Sequence, residues 1–197
     1  MAMPAMRRRW TTTEVRSLMQ AERAWPRYEL IAGALIVTPA PGWAHQIAVT
    51  ELWSLLDAYL TQTSVGMAIT SPADLELRPG TITQPDLFVV PADTPTATDV
   101  PQWSDIKALL LAVEVLSPAT GYVDRGQKRE LYLASNVAEY WIVDLDARAV
   151  ERWTRGRDTP EIVLERLVWR VDVRRPLILD LPAFFDRVAA KLRMFGR

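Results

Sequence analysis

Apolar positions along the chain recur with two distinct periods, and the two periods divide it into helices and strands. Near the helical period are Ile47, Leu52, Leu55, Leu56 and Tyr59, between the Pro39/Pro41 loop and Gly66, which predicts a long helix over residues 45–60 packed on a sheet. Val15, Leu18 and Met19 make a shorter apolar stripe behind a Thr11 to Glu14 capping signal, ending before Pro26. Further helices are expected over residues 121–135 and 184–192. Extended segments are expected at 28–31 and 35–37, as a hairpin around Gly33, and at 139–143 with 150–153 as a second hairpin. Residues 67–70, 74–77 and 86–90, separated by Pro72, Pro79 and Gly80, read as consecutive antiparallel strands. Residues 91–105 form a polar loop, and more strands are expected within 162–171. The run 109–116 is apolar except for Glu114, the pattern of a central strand carrying one buried acid.

Together these elements predict an α/β fold with a mixed central β-sheet flanked by helices. Without an internal repeat or a long linker, the 197 residues read as one domain with its core over about 10–190. Composition narrows this only slightly. A hydrophobic content of 49% supports a substantial core, and a net charge of −1 removes any global basic field, so a polyanion must be met by local charge. The absence of cysteine excludes disulfides, thiolate metal sites and cysteine nucleophiles, and agrees with a reducing cytoplasm. Arg7, Arg8 and Arg9 lead into Trp10 and threonines rather than an apolar stretch, so neither a signal peptide nor a membrane span is expected.

The chemistry concentrates in acids set among apolar residues. Asp86 opens one predicted strand and Glu114 lies inside the next, and adjacent strands place such carboxylates side by side. A buried carboxylate needs a cation or a proton. Mg²⁺ or Mn²⁺ would satisfy both acids, since hard cations take one or two carboxylates together with waters and phosphate oxygens, and the Val115 carbonyl is a further donor. On the following helix Asp124, Lys128 and Tyr132 are spaced to share one face, so Lys128 can reach water or phosphate beside the ion. Glu29 sits between apolar neighbours as a third carboxylate, and His45 begins the long helix.

Each residue also has a plainer reading. Glu114 can pair with an arginine such as Arg125, Glu29 with Arg27 or with solvent, and Lys128 can be a solvated helix residue. His45 can serve as a hydrogen-bonding residue at a helix start, Ser117 can begin a loop, and Tyr140 and Trp141 read as sheet packing.

Tyr28-Glu29-Leu30-Ile31 with Gly33, His45, Pro85-Asp86, Val113-Glu114-Val115-Leu116-Ser117-Pro118, the Asp124/Lys128/Tyr132 trio and Glu139-Tyr140-Trp141-Ile142-Val143-Asp144 occur in an informative order. Over residues 10–185 that order resembles the Uma-type restriction endonucleases of the PD-(D/E)XK nuclease superfamily. The resemblance implies a restriction-endonuclease-like core, with Asp86 and Glu114 as ligands of Mg²⁺ or Mn²⁺, and Glu29 stands beside them as a third candidate ligand from its own apolar setting. It also implies Lys128 as the catalytic lysine, nucleic acid (DNA before RNA) as substrate, and 5′-phosphate products. The superfamily lysine normally falls two residues after the second acid, where this chain has Leu116, so Lys128 has moved to the next helix. Arg125 and Arg129 flank it as expected phosphate contacts, which would make binding strongly salt-dependent. His45, Ser117, Asp124 and Tyr132 are accessory candidates. A homodimer is expected, with the 140–153 hairpin as its interface. Two rival functions stand beside the nuclease: a catalytically inactive nucleic-acid or protein-binding module on the same fold, and a metal-dependent hydrolase of a small phosphate ester.

Overall fold

The computed structural model describes residues 8–21, 26–117, 121–172 and 175–195; Arg7 and Pro118 lie outside the described residues. Helix α1 (Thr12–Ala21) starts where the sequence signals it: the Glu14 carboxylate accepts the Thr11 N–H at 2.9 Å, while the Glu14 N–H donates to the Thr11 hydroxyl. Strands β1 (Arg27–Ile31) and β2 (Ala34–Thr38) form the first hairpin, with Ala32 and Gly33 both at positive φ in its two-residue turn. Helix α2 (Trp43–Thr63) follows.

The centre is a mixed sheet of six strands: β3 (Gly66–Thr70), β4 (Leu87–Pro91), β5 (Leu109–Val115), β6 (Val137–Asp144), β7 (Ala149–Thr154) and β8 (Glu161–Val163), in that spatial order. Only β5 and β6 run parallel. Their crossover is a helical stretch made of α3 (Gly121–Val123), a π-helical turn (Asp124–Lys128) and α4 (Arg129–Ala134). A second small hairpin, β9 (Arg166–Trp169) with β10 (Leu177–Asp180), precedes α5 (Leu181–Phe195).

Strand alternation assigns the two faces. Leu111, Val113 and Val115 of β5 join Leu87 and Val89 of β4 in a core closed by Leu52 and Leu56 of α2 and Phe184 and Val188 of α5. Ala112 with Phe88, Tyr140 and Ile142 packs on Tyr132 of α4 on the opposite side. Glu51 on α2 ties the two helices of the first face together by pairing with Arg187 and Lys191 of α5.

Several expectations change. Residues 74–77 make no strand; they contribute one bridge, Leu75 to Thr83, because the flanking Pro72 and Pro79 withhold ladder donors and Gly80 turns the chain at φ 79°. Leu75 is buried all the same, so apolarity there marks an anchored loop. Strand β10 was not expected. The helix over 121–135 is present but widened by its π turn. The 140–153 hairpin is interior to the sheet, between β5 and β8, with Tyr140 and Trp153 buried. Tyr140 and Trp141 are sheet packing, as their apolar setting implied. Among the described residues no helix is long and apolar enough to cross a membrane.

Gly66 begins β3 where the chain passes close to its neighbour: a β-carbon built there would stand 2.5 Å from the Val90 carbonyl oxygen. Gly66→Ala should therefore destabilise the protein by about 1–3 kcal/mol, read as a lowered urea midpoint at unchanged slope. An unchanged midpoint would mean that β3 and β4 can separate without loss.

Candidate active site

The pairing of β4 with β5 sets the site. Leu87 lies opposite Val113, so one step along, Asp86 lies opposite Glu114, and alternation turns both away from the α2/α5 core. Both are buried, at 9% and 3% exposure. Asp86 is gripped on every side: its carboxylate accepts the Val115 N–H at 2.9 Å, contacts His45 Nε2 at 2.9 Å, and lies 3.4 Å from Arg27. Burial by itself would raise its pKa; the hydrogen bond and charge of His45, the Lys128 charge and the Val115 N–H outweigh that and hold it below the ordinary aspartate range.

Glu114 is held from the helical crossover. Lys128 Nζ donates to its Oε1 at 3.0 Å and the Tyr132 hydroxyl to the same oxygen at 2.9 Å. The same ammonium lies 2.9 Å from Glu29 and 3.8 Å from Asp124. Burial draws the Lys128 pKa down, but Glu114, Glu29, Asp124 and Asp86 raise it well above the lysine norm, so it stays charged. Glu114 goes the other way. Burial raises it well above 4.5; Lys128 opposes this, and Asp86, Asp124 and Glu29 add to the rise.

The Thr83 hydroxyl donates to Glu29 at 3.1 Å and lies 2.9 Å from the Tyr132 hydroxyl, which donates to Glu114 at 2.9 Å, so the two acids are linked through a chain of hydroxyls.

The acids line a cavity of about 260 Å³, shared with Arg27, Gly42, His45, Gln84, Ser117, Asp124 and Lys128. Of the residues singled out from the sequence, Glu29, His45, Asp86, Glu114, Ser117, Asp124 and Lys128 converge here, and Tyr132 supports them from behind. Arg125 and Arg129 do not line it. Arg125 pairs with Glu151 at 2.6 Å and Asp144 at 3.1 Å, not with Glu114, and Arg129 lies over the Trp153 ring and beside Glu130. Glu29 pairs with neither Arg27 nor solvent: one oxygen accepts Thr83 Oγ1 and the Gln84 N–H, the other faces Lys128. Two contributors went unnoticed in the sequence: Gln84 lacked any motif, and Thr83 sat in a segment without period. Arg27, considered there only as a partner for Glu29, lies against Asp86 instead.

The donor chemistry fits a hard dication. Glu29, Asp86, Glu114 and Asp124 supply four carboxylates against two permanently charged cations, Lys128 and Arg27, and open space adjoins Asp86 and Glu114. No cluster of three or more His, Asp or Glu side chains spaced for a metal occurs among the described residues, so the fit is to two protein ligands completed by water and substrate oxygens.

A family model described as "Uma2: Putative restriction endonuclease" matches residues 14–179. The chain belongs to the Uma2 family. No curated protein matches it. Among solved structures, a crystal structure of a "putative nuclease belonging to DUF820" from Anabaena variabilis ATCC 29413 is 19% identical at a TM-score of 0.69, covering 88% of this chain and 98% of that one. At that identity the likeness establishes the shared fold. The Uma2 chain thus has the nuclease-type α/β architecture that its sequence led us to expect.

The raised Glu114 pKa has a stability consequence. The folded protein holds this proton more tightly than the unfolded chain, so the stabilisation is complete below about 4.5 and is lost as pH rises through the folded value. Glu114→Gln mimics the protonated acid. In metal-free melts from about pH 5 to about pH 8, the parent should lose more stability than the variant, the gap widening with pH. Parallel curves would show that Glu114 is ionised throughout.

Proposed function

We propose that this Uma2 protein is a divalent-metal-dependent endonuclease, a single restriction-endonuclease-like unit that hydrolyses phosphodiester bonds in nucleic acid, DNA in preference to RNA. The observation that carries the proposal is that Asp86 and Glu114 lie buried on adjacent strands beside the Lys128 ammonium. Family membership supports the reading. Asp86 and Glu114 are the residues that would hold Mg²⁺ or Mn²⁺. When bound, the ion supplies Lewis-acid stabilisation of charge on the phosphoryl group and activation of water.

The chain's own residues do the rest. Asp86 stays ionised because His45, Arg27 and the Val115 N–H hold it, so it presents a ready oxygen to the cavity. Glu114 would be the second ligand in its ionised form, and Tyr132, whose pKa burial and the charges of Glu114 and Glu29 push up, donates a hydrogen bond to it. Lys128 offsets charge gathering on phosphorus as water adds and the bond to the 3′ oxygen breaks, leaving a 5′-phosphate. Glu29, with both oxygens engaged inside the protein, positions Lys128 rather than the ion. A cavity of 260 Å³ also suits a small phosphodiester, which makes a small-ester hydrolase the second reading.

Calorimetry with Mn²⁺ tests the ligand pair: Asp86→Asn and Glu114→Gln should each weaken binding by about tenfold or more. Affinity equal to the parent's in both variants would remove these acids from the site. Because ligation deprotonates Glu114, binding should also release protons, seen as a dependence of the measured heat on buffer ionisation enthalpy.

Lys128→Ala should retain Mn²⁺ binding while turnover on DNA falls by about 10²-fold. It should also lower metal-free stability by about 3 kcal/mol, since the variant leaves buried acids without their cation. Lys128→Arg should restore stability better than turnover, because a guanidinium fork does not reproduce a point ammonium. Undiminished cleavage by the alanine variant would take the lysine out of the mechanism.

A further inference from the structure

A larger cavity, of about 960 Å³, lies at the far end of β4 from Asp86, beside Val90 and Pro91. Strand geometry puts it roughly 17 Å from the acids. Its floor is the edge strand β3, where Met67 and Ile69 share a face with Val90 and Phe88 of β4. One wall is the end of α2, with Asp57, Leu60 and Thr61; the other is the 3-10 turn Trp103–Asp105 in the loop after β4. Trp103 packs edge-on against Phe88, with ring centroids 6.4 Å apart at 76°, yet stays 43% exposed at the cavity wall. Met67 is 59% exposed. An indole face and a thioether lining one hollow suit a flat apolar ring.

The charge around this apolar space has one sign. Asp57 and Asp105 line it, and among the described residues no lysine, arginine or histidine does. Asp105 accepts the Gln102 N–H at 2.8 Å, whereas the half-buried Asp57 carboxylate has no hydrogen bond or ion pair among the described residues. The end of α2 adds to the field. Aligned peptide dipoles along its 21 residues leave partial negative charge on the last carbonyls, and its last turn holds no basic residue. The Ser64 N–H caps the Leu60 carbonyl but brings no charge. A cation gains in this setting and a phosphate or carboxylate loses. The negative face of the Trp103 ring favours a cation as well.

An added peptide strand fits less well. Val65 and Ser71 bond across the ladder to Ala92 and Asp86, so Ala68 turns its carbonyl to the open edge of β3. The Trp53 indole N–H already occupies that carbonyl at 3.0 Å, and a strand pairing there would have to displace it.

We propose that this cavity binds a small organic cation, a flat apolar ring bearing a fixed positive charge, held against Trp103 and the C-terminal end of α2. The site is separate from the acidic cavity and does not depend on the nuclease reading.

The test uses N-methylquinolinium as the probe, with uncharged quinoline and anionic 1-naphthoate as comparators of similar shape. Each is titrated calorimetrically into the full chain at neutral pH without divalent metal. The cation should bind at least about tenfold more tightly than quinoline, and naphthoate should not bind. Asp57→Asn should weaken the cation about fivefold and leave quinoline unchanged. Thr61→Lys, a positive charge at an exposed position in the last turn of α2, should do the same. Trp103→Ala should weaken both ring compounds, and Trp103→Phe should keep most of the affinity, since stacking needs a ring. Equal affinity for the cation and quinoline, or no binding of the cation, would overturn the proposal. So would parent-like binding of the cation by Asp57→Asn, Thr61→Lys or Trp103→Ala. Binding lost in Asp86→Asn but kept in Asp57→Asn would put the cation in the acidic cavity and overturn it equally.

Discussion

The Lys128 ammonium, itself buried, lies within 4 Å of carboxylates from three separate elements, Glu29 on β1, Glu114 on β5 and Asp124 on the π turn. An unpaired charge at that depth is so unfavourable that none of these elements can take its place without the others. The hairpin must lie across the strand ends, β4 must sit one register step from β5, and the crossover helix must turn its inner face toward both. The π turn matters here because it lets Asp124, Lys128 and, one turn on, Tyr132 all be buried on that face. The fold is arranged around this one cation.

That arrangement leaves a charge imbalance, and the imbalance is the link to function. Lys128 cannot neutralise every acid that faces it, so Glu114 is driven toward its protonated form while His45, Arg27 and a backbone N–H keep Asp86 ionised. Two carboxylates with opposite tendencies thus face the same cavity. A protein selected only for stability would gain by replacing such a cluster with apolar side chains of similar volume. Such a cluster, set on strands whose neighbouring positions are apolar, is what a proposed cation site requires.

Much of this was legible in the sequence, for specific reasons. Glu114 stood out because strand residues on both sides of it are apolar, and Lys128 because its helical register matched Asp124 and Tyr132. The capping signal at Thr11 and Glu14, the two hairpins and the long second helix were equally local and equally readable. What escaped depended on chain reversal in three dimensions. Thr83 and Gln84 meet Glu29 only because the 71–86 segment folds back as an anchored loop, within which residues 74–77 had suggested a strand. The engagement of Arg125 by Asp144 and Glu151 joins residues from β6 and β7 to the crossover helix, a contact with no trace in sequence spacing. The same holds for the burial of the 140–153 hairpin, whose parallel neighbour β5 is joined to it only through the crossover helix.

The claim on which everything else rests is that Asp86 and Glu114 together hold a divalent cation. Crystals of the protein grown or soaked with Mn²⁺, with data collected near the manganese absorption edge, test it directly. The account predicts an anomalous peak in the cavity touching oxygens of both acids, with Lys128 still in contact with Glu29. A fully occupied peak bound by other residues, or no peak at Mn²⁺ concentrations that saturate binding in solution, would contradict it.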